Sequence, residues 1–126
     1  MAMSTILIVD DNKEFRGMLR EMLEDANHRT VEAPDGKAAL ELYRQEAVDL
    51  IITDLIMPVK EGIQTILEFR RLDPKARIIA MSGGNRMSSS NLAMAQKLGA
   101  NFTLAKPFHP QELLAAVNQV LAKTAE

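Results

Sequence analysis

Five short runs of branched apolar residues alternate along the chain with five segments in which apolar residues recur every three or four positions. The runs 5–10, 29–33, 49–54, 77–82 and 102–106 read as strands. The first, third and fourth are nearly continuous in apolar character, as parallel strands covered on both faces require. The second is short and mixed, which marks it as the edge. Between the strands, Phe15, Met18, Leu19, Met22, Leu23 and Ala26 form one apolar stripe over 12–27. Weaker stripes run through 36–46, 61–72, 88–98 and 110–123. Asp35-Gly36, Ser88-Ser89-Ser90 and Pro110 after His109 supply helix-start chemistry, and Gly99 closes the fourth helix. Strict alternation predicts an α/β fold, a (βα)5 doubly wound open parallel sheet with helices on both faces. Ligands of such sheets bind beyond the carboxyl ends of the strands, where the strand order reverses.

Composition narrows the classes. With 47% hydrophobic and 25% charged residues among 126, the chain is that of an ordinary folded domain, expected as one unit over 4–123 with no second domain. A net charge of -2 and the lack of a basic run give no footprint for direct nucleic-acid binding. The absence of cysteine removes disulfides, thiolate metal sites and cysteine nucleophiles, and suits a reducing compartment. No apolar run approaches a membrane span and Met1-Ala2-Met3-Ser4 is not signal-like, so a cytoplasmic protein with no membrane partner is expected.

The strand ends carry the chemistry. Strand one ends in Asp10-Asp11, strand three in Asp54, strand four in Ser82 and strand five in Lys106-Pro107, whereas strand two ends in Ala33-Pro34. Asn12 is read as the cap of the first helix, a role that leaves Asp10 unexplained. A salt bridge to Lys106 would account for Asp54 alone. Three carboxylates and one lysine leave a surplus near -2, and like charges this close repel unless a cation joins them. With oxygen ligands only, Mg2+ is the natural ion, since it takes one or two carboxylates, keeps waters and completes its shell with phosphate oxygen. Lys106 and the Ser82 hydroxyl are then placed to meet the same phosphoryl group, the parts needed to form an aspartyl phosphate.

On Val9-Asp10-Asp11, Asp54-Leu55-Ile56-Met57-Pro58 with Gly62, Ser82-Gly83 and Lys106-Pro107-Phe108, the chain resembles the CheY-like receiver domain of bacterial response regulators over about residues 4–123. The resemblance implies a sheet in order 2-1-3-4-5. It implies that Asp54 accepts a phosphoryl group from a phosphohistidine on a sensor histidine kinase or histidine phosphotransfer protein. Asp11, Asp54 and the Ile56 carbonyl would ligate Mg2+, Asp10 would act through a metal-bound water, and Ser82 and Lys106 would hold phosphoryl oxygens. Gly83 would leave room for the donor. The face of helix four, strand five and helix five would bind a downstream protein or an output domain, in a monomer or a weak phosphorylation-dependent dimer. The protein would catalyse only its own phosphorylation and dephosphorylation.

One position departs from the family pattern. Receivers usually carry an aromatic residue three positions before the lysine, where Thr103 stands here; Phe102 should face the other way by strand alternation. An interaction-only receiver is therefore an alternative. A phosphohydrolase of the haloacid dehalogenase type would need an aspartate at position 56, where Ile56 stands, and Asp10-Asp11 would repel the phosphate of a flavodoxin-like FMN carrier. Glu61 is read as a favourable charge in the first turn of helix three, Arg70-Arg71 as its solvated end, the methionines as packing, and His28 and His109 as surface or capping residues.

Overall fold

Alternate strand residues enter two different apolar layers. Leu7, Val9, Ile51, Ile78 and Ala80 pack on one face of the sheet with Ala39, Ile66 and Phe69. Ile6, Ile8, Leu50, Ile52, Ile79, Met81 and Leu104 pack on the other with Leu19, Leu23, Leu113, Val117 and Val120. This is the period of two expected of a strand, with apolar residues on both phases because helices cover both faces. Each fully buried Leu or Ile side chain contributes about 1.5–3 kcal/mol relative to exposure.

The computed structural model describes residues 4–55, 59–82, 93, 95–97, 99–106 and 108–122, with residues 59–62 by backbone alone. The strands β1 (Thr5–Val9), β2 (Arg29–Ala33), β3 (Leu50–Asp54), β4 (Ile78–Ser82) and β5 (Phe102–Ala105) form one parallel sheet in the order β2-β1-β3-β4-β5. Helices α1 (Lys13–Asp25), α2 (Gly36–Gln45), α3 (Val59–Leu72) and a last helix (Pro110–Ala122) lie within two residues of the stretches read from periodicity. Ala93 and Ala95–Lys97 are helical, inside the predicted 88–98. Ser88-Ser89-Ser90 and Gly83 lie outside the described residues.

Local chemistry sets the helix ends. The Asn12 side chain accepts from the Phe15 N–H at 2.9 Å, and Asp35 Oδ1 accepts from Ala38 N–H at 2.8 Å, each satisfying a free first-turn donor. Asn27, at φ 71°, takes the left-handed turn after α1, a conformation Asn tolerates. At the last helix, His109 N–H donates to Glu112 Oε1 while the His109 carbonyl accepts from Glu112 and Leu113, so His109 caps through its backbone. Gly36 has a tighter constraint than a turn: an added Cβ would collide with Thr65 Oγ1, so the glycine lets α2 approach α3.

Two readings of single residues are corrected. Met18, counted in the α1 stripe, is 43% exposed; the buried seam of that helix is Leu19 and Leu23. Arg70 is not a solvated helix end. Its guanidinium donates to the carbonyls of Pro74 (2.8 Å), Ala76 (2.5 Å) and Gly99 (2.6 Å) and lies 3.3 Å from Asn101 Oδ1, tying α3 to the chain entering β4 and β5. Arg71 is exposed as expected.

Candidate functional site

Strand register brings the acidic residues level. Val9 pairs with Thr53, so the next residues, Asp10 and Asp54, emerge side by side where β1 and β3 end. The strand order reverses at this pair, since β1 is followed outward by β2 and β3 by β4. Ser82 pairs with Ala105, and Lys106 follows, its N–H donating to the Ser82 carbonyl at 2.8 Å. Parallel register alone thus collects residues from β1, β3, β4 and β5 on one rim.

The side chains then converge. Lys106 Nζ lies 3.2 Å from Asp54 Oδ2 and 3.5 Å from Asp10 Oδ2. Oxygens of Asp10, Asp11 and Asp54 all fall within 4.8 Å of one another. Asp10 is 0% exposed and Asp54 2%, while Asp11 faces solvent, the split expected where a strand ends between two neighbours. Ser82 is buried at the end of β4. The Ile56 carbonyl lies outside the described residues, as does Gly83.

The electrostatics favour a cation. Burying a carboxylate costs several kcal/mol per ion unless it is paired and hydrogen-bonded. Asp10 Oδ1 accepts from Asn12 N–H at 2.8 Å, and one ammonium serves Asp10 and Asp54 together, so that among the described residues the three carboxylates carry a formal surplus of negative charge. Three carboxylate oxygens gathered within 4.8 Å of one another, with no nitrogen or sulfur donor among them, are the ligand type that suits Mg2+. Residues that fit this ion are therefore present.

Two neighbours on α1, Arg16 and Phe15, whose part here periodicity does not reveal, complete the site. Arg16 donates from Nη1 to the Asp10 carbonyl at 2.7 Å and pairs through Nε with Glu32 at 3.0 Å, fixing the chain as it leaves β1. Phe15 lies under Lys106, with Nζ 3.9 Å from the ring centroid, and its ring meets Phe108 edge to face at 6.3 Å. The alternation of DD with the following helix holds no direct signal for either role; a helical arginine five residues past Asp11 and an aromatic in the first turn are the only cues. On β5, Phe102 packs with Leu104 in the layer shared with α1 and the last helix, so Thr103 occupies the opposite phase as strand alternation requires.

The family model described as "Response regulator receiver domain" matches residues 6–118. The chain is 38% identical over 120 residues to Protein CcdB of Bacillus subtilis (strain 168), covering 94% of this chain and 98% of that protein. It is 33% identical to the transcriptional regulatory protein CpxR of Escherichia coli (strain K12), covering 97% of this chain and 51% of CpxR. A crystal structure of a putative response regulator from Chloroflexus aurantiacus superposes with a TM-score of 0.89 at 31% identity, covering 97% of this chain and all of that one. Among the described residues, no helix is long and apolar enough to cross a membrane.

Proposed function

Because the chain belongs to the response regulator receiver domain family, we propose that it is a phosphoacceptor switch in which Asp54 takes a phosphoryl group from a phosphohistidine. The observation that supports this most is the convergence of the Asp10, Asp11 and Asp54 oxygens with the Lys106 ammonium at the ends of β1, β3 and β5. An Asp54 carboxylate oxygen forms the new bond to phosphorus as the phosphorus–nitrogen bond of the donor breaks, and the leaving imidazole takes up a proton. Lys106 moves from pairing carboxylates to meeting a phosphoryl oxygen, and the Ser82 hydroxyl donates to another. Asp11 and Asp54, with the Ile56 carbonyl, would hold Mg2+ directly and Asp10 through water. When bound, the ion offsets the carboxylate surplus and the charge on the transferred group.

The donor is a sensor histidine kinase or a histidine phosphotransfer protein, and the phosphorylated form shifts a pre-existing equilibrium of the face carrying β5 and the last helix. That face engages a downstream protein or an output domain. With Thr103 in the usual aromatic position, the shift is carried without burial of an aromatic side chain there. We read residues 4–123 as one receiver domain acting in the cytoplasm, without turnover of external substrates, as a monomer or a weak phosphorylation-dependent dimer. Intact mass after incubation with acetyl phosphate and Mg2+ tests this. One added phosphoryl group is expected, with none when the metal is chelated; no addition in Mg2+ contradicts the proposal, and sustained hydrolysis of aryl phosphates supports a phosphohydrolase instead.

A further inference from the structure

The ammonium of Lys106 has an unusual third neighbour. Asp54 and Asp10 draw it toward the strand ends at 3.2 Å and 3.5 Å, and the Phe15 ring covers a further side at 3.9 Å from its centroid. An aromatic face attracts a cation through its quadrupole, most strongly where water is displaced, and the Lys106 side chain is only 17% exposed. The ring is itself held. Its backbone N–H closes the Asn12 cap at 2.9 Å, and Phe108 braces it edge to face. Phe108 follows Lys106 by two residues, so the segment carrying the lysine also steadies the ring beneath it.

Apolar packing alone does not account for this placement. Phe15 is only partly buried against the α1 layer, and a leucine would serve that layer comparably. We propose that Phe15 is a positioning residue for phosphoryl transfer: its ring face holds the Lys106 ammonium beside Asp54, within reach of the incoming phosphoryl group, and keeps it from swinging to solvent. This rests on the reading of Asp54 as the phosphoacceptor and adds a residue on a different element to its machinery. A lysine stem has four rotatable bonds, and holding it over a ring in advance reduces the ordering left for the transfer step.

The test replaces Phe15 by phenylalanines carrying one, two and three ring fluorines, which weaken the quadrupole at nearly constant shape. Phosphoryl uptake from acetyl phosphate and Mg2+ is expected to fall stepwise with fluorination and about three- to tenfold in Phe15→Leu, with recovery in Phe15→Trp. Equal rates across the fluorinated series, with unchanged melting temperatures, overturn the proposal and leave Asp54 as acceptor intact. A second readout needs neither metal nor donor: the Lys106 Nζ proton signal should be shifted by the ring current in the wild type and lose that shift in Phe15→Leu. An unshifted wild-type signal overturns the proposal. If the wild type takes up no phosphoryl group, the phosphoacceptor reading falls, and this signal still decides whether Phe15 holds the lysine.

Discussion

At the amino-terminal rim of the sheet the Arg70 guanidinium meets three backbone carbonyls and Asn101 Oδ1, whereas at the carboxyl rim one ammonium, that of Lys106, serves two buried carboxylates beside the exposed Asp11. Both are charged groups close to a buried sheet, but their surroundings differ in kind. The hydrogen bonds of Arg70 all go to neutral acceptors of its own chain and tie the end of α3 to the turns before β4 and β5. Among the described residues, three carboxylates gather around the one Lys106 ammonium, more negative charge than a structural ion pair requires. The contrast is between a charge that holds the fold and charges that suit the proposed ion and phosphoryl group.

The largest expected effect is at the carboxyl rim. Lys106→Ala should lower phosphoryl uptake from acetyl phosphate by about 10²-fold or more, the scale for losing one donor to a developing anion. Uptake within tenfold of wild type would place the lysine outside the transfer step. Arg70→Ala should do the converse: a loss of about 3 kcal/mol and a fall in Tm of roughly 10 °C, with uptake per folded molecule unchanged. A variant melting like wild type would show that the four acceptors of Arg70 are satisfied as well without it. Gly36→Ala should cost about 1–3 kcal/mol in a denaturant titration by forcing Thr65 aside, and Thr65→Ser should recover little, because the hydroxyl oxygen itself occupies the space.

The smallest effect is a pH profile. Tyr43 donates to Asp73 Oδ2 at 2.7 Å. That bond, followed by the Lys75 N–H, holds the Asp73 carboxyl below its ordinary value, while burial, followed by the same bond, pushes the Tyr43 hydroxyl well above its own. A lowered carboxylate stabilises the fold above its ordinary value of 3.8 and loses that contribution as pH falls through its folded value. A raised phenol stabilises below its ordinary value of 10.0 and loses that contribution as pH rises. The stability difference between wild type and Tyr43→Phe should therefore be flat from about pH 5 to 9 and shrink on either side. A difference that grows toward acid pH would contradict the assignment.

Much of the fold is legible in the sequence because its signals are local. The bounds of β2 coincide with the run read from composition, Asn12 and Asp35 cap as their chemistry suggests, and the strand ends mark the rim that collects Asp10, Asp54, Ser82 and Lys106. What escapes is contact between distant segments. Phe15 reads as one more member of an apolar stripe until β5 brings Lys106 over its ring, and Arg70 reads as a solvated helix end until the turns at Ala76 and Gly99 fold beneath it. Periodicity gives the face of a helix and not which part of the far chain lies on it. Met18 shows the reverse error, an apolar residue at helical spacing that the sheet leaves uncovered.

The proposed switch requires that Asp54, and neither of the other two carboxylates, take the phosphoryl group. Borohydride reduces an aspartyl phosphate to homoserine, so peptide mass mapping after treatment with acetyl phosphate, Mg2+ and borohydride identifies the acceptor. Homoserine is expected at position 54 in the wild type and at no position in Asp54→Asn; homoserine at position 10 or 11, or none in the wild type, would overturn the assignment of Asp54.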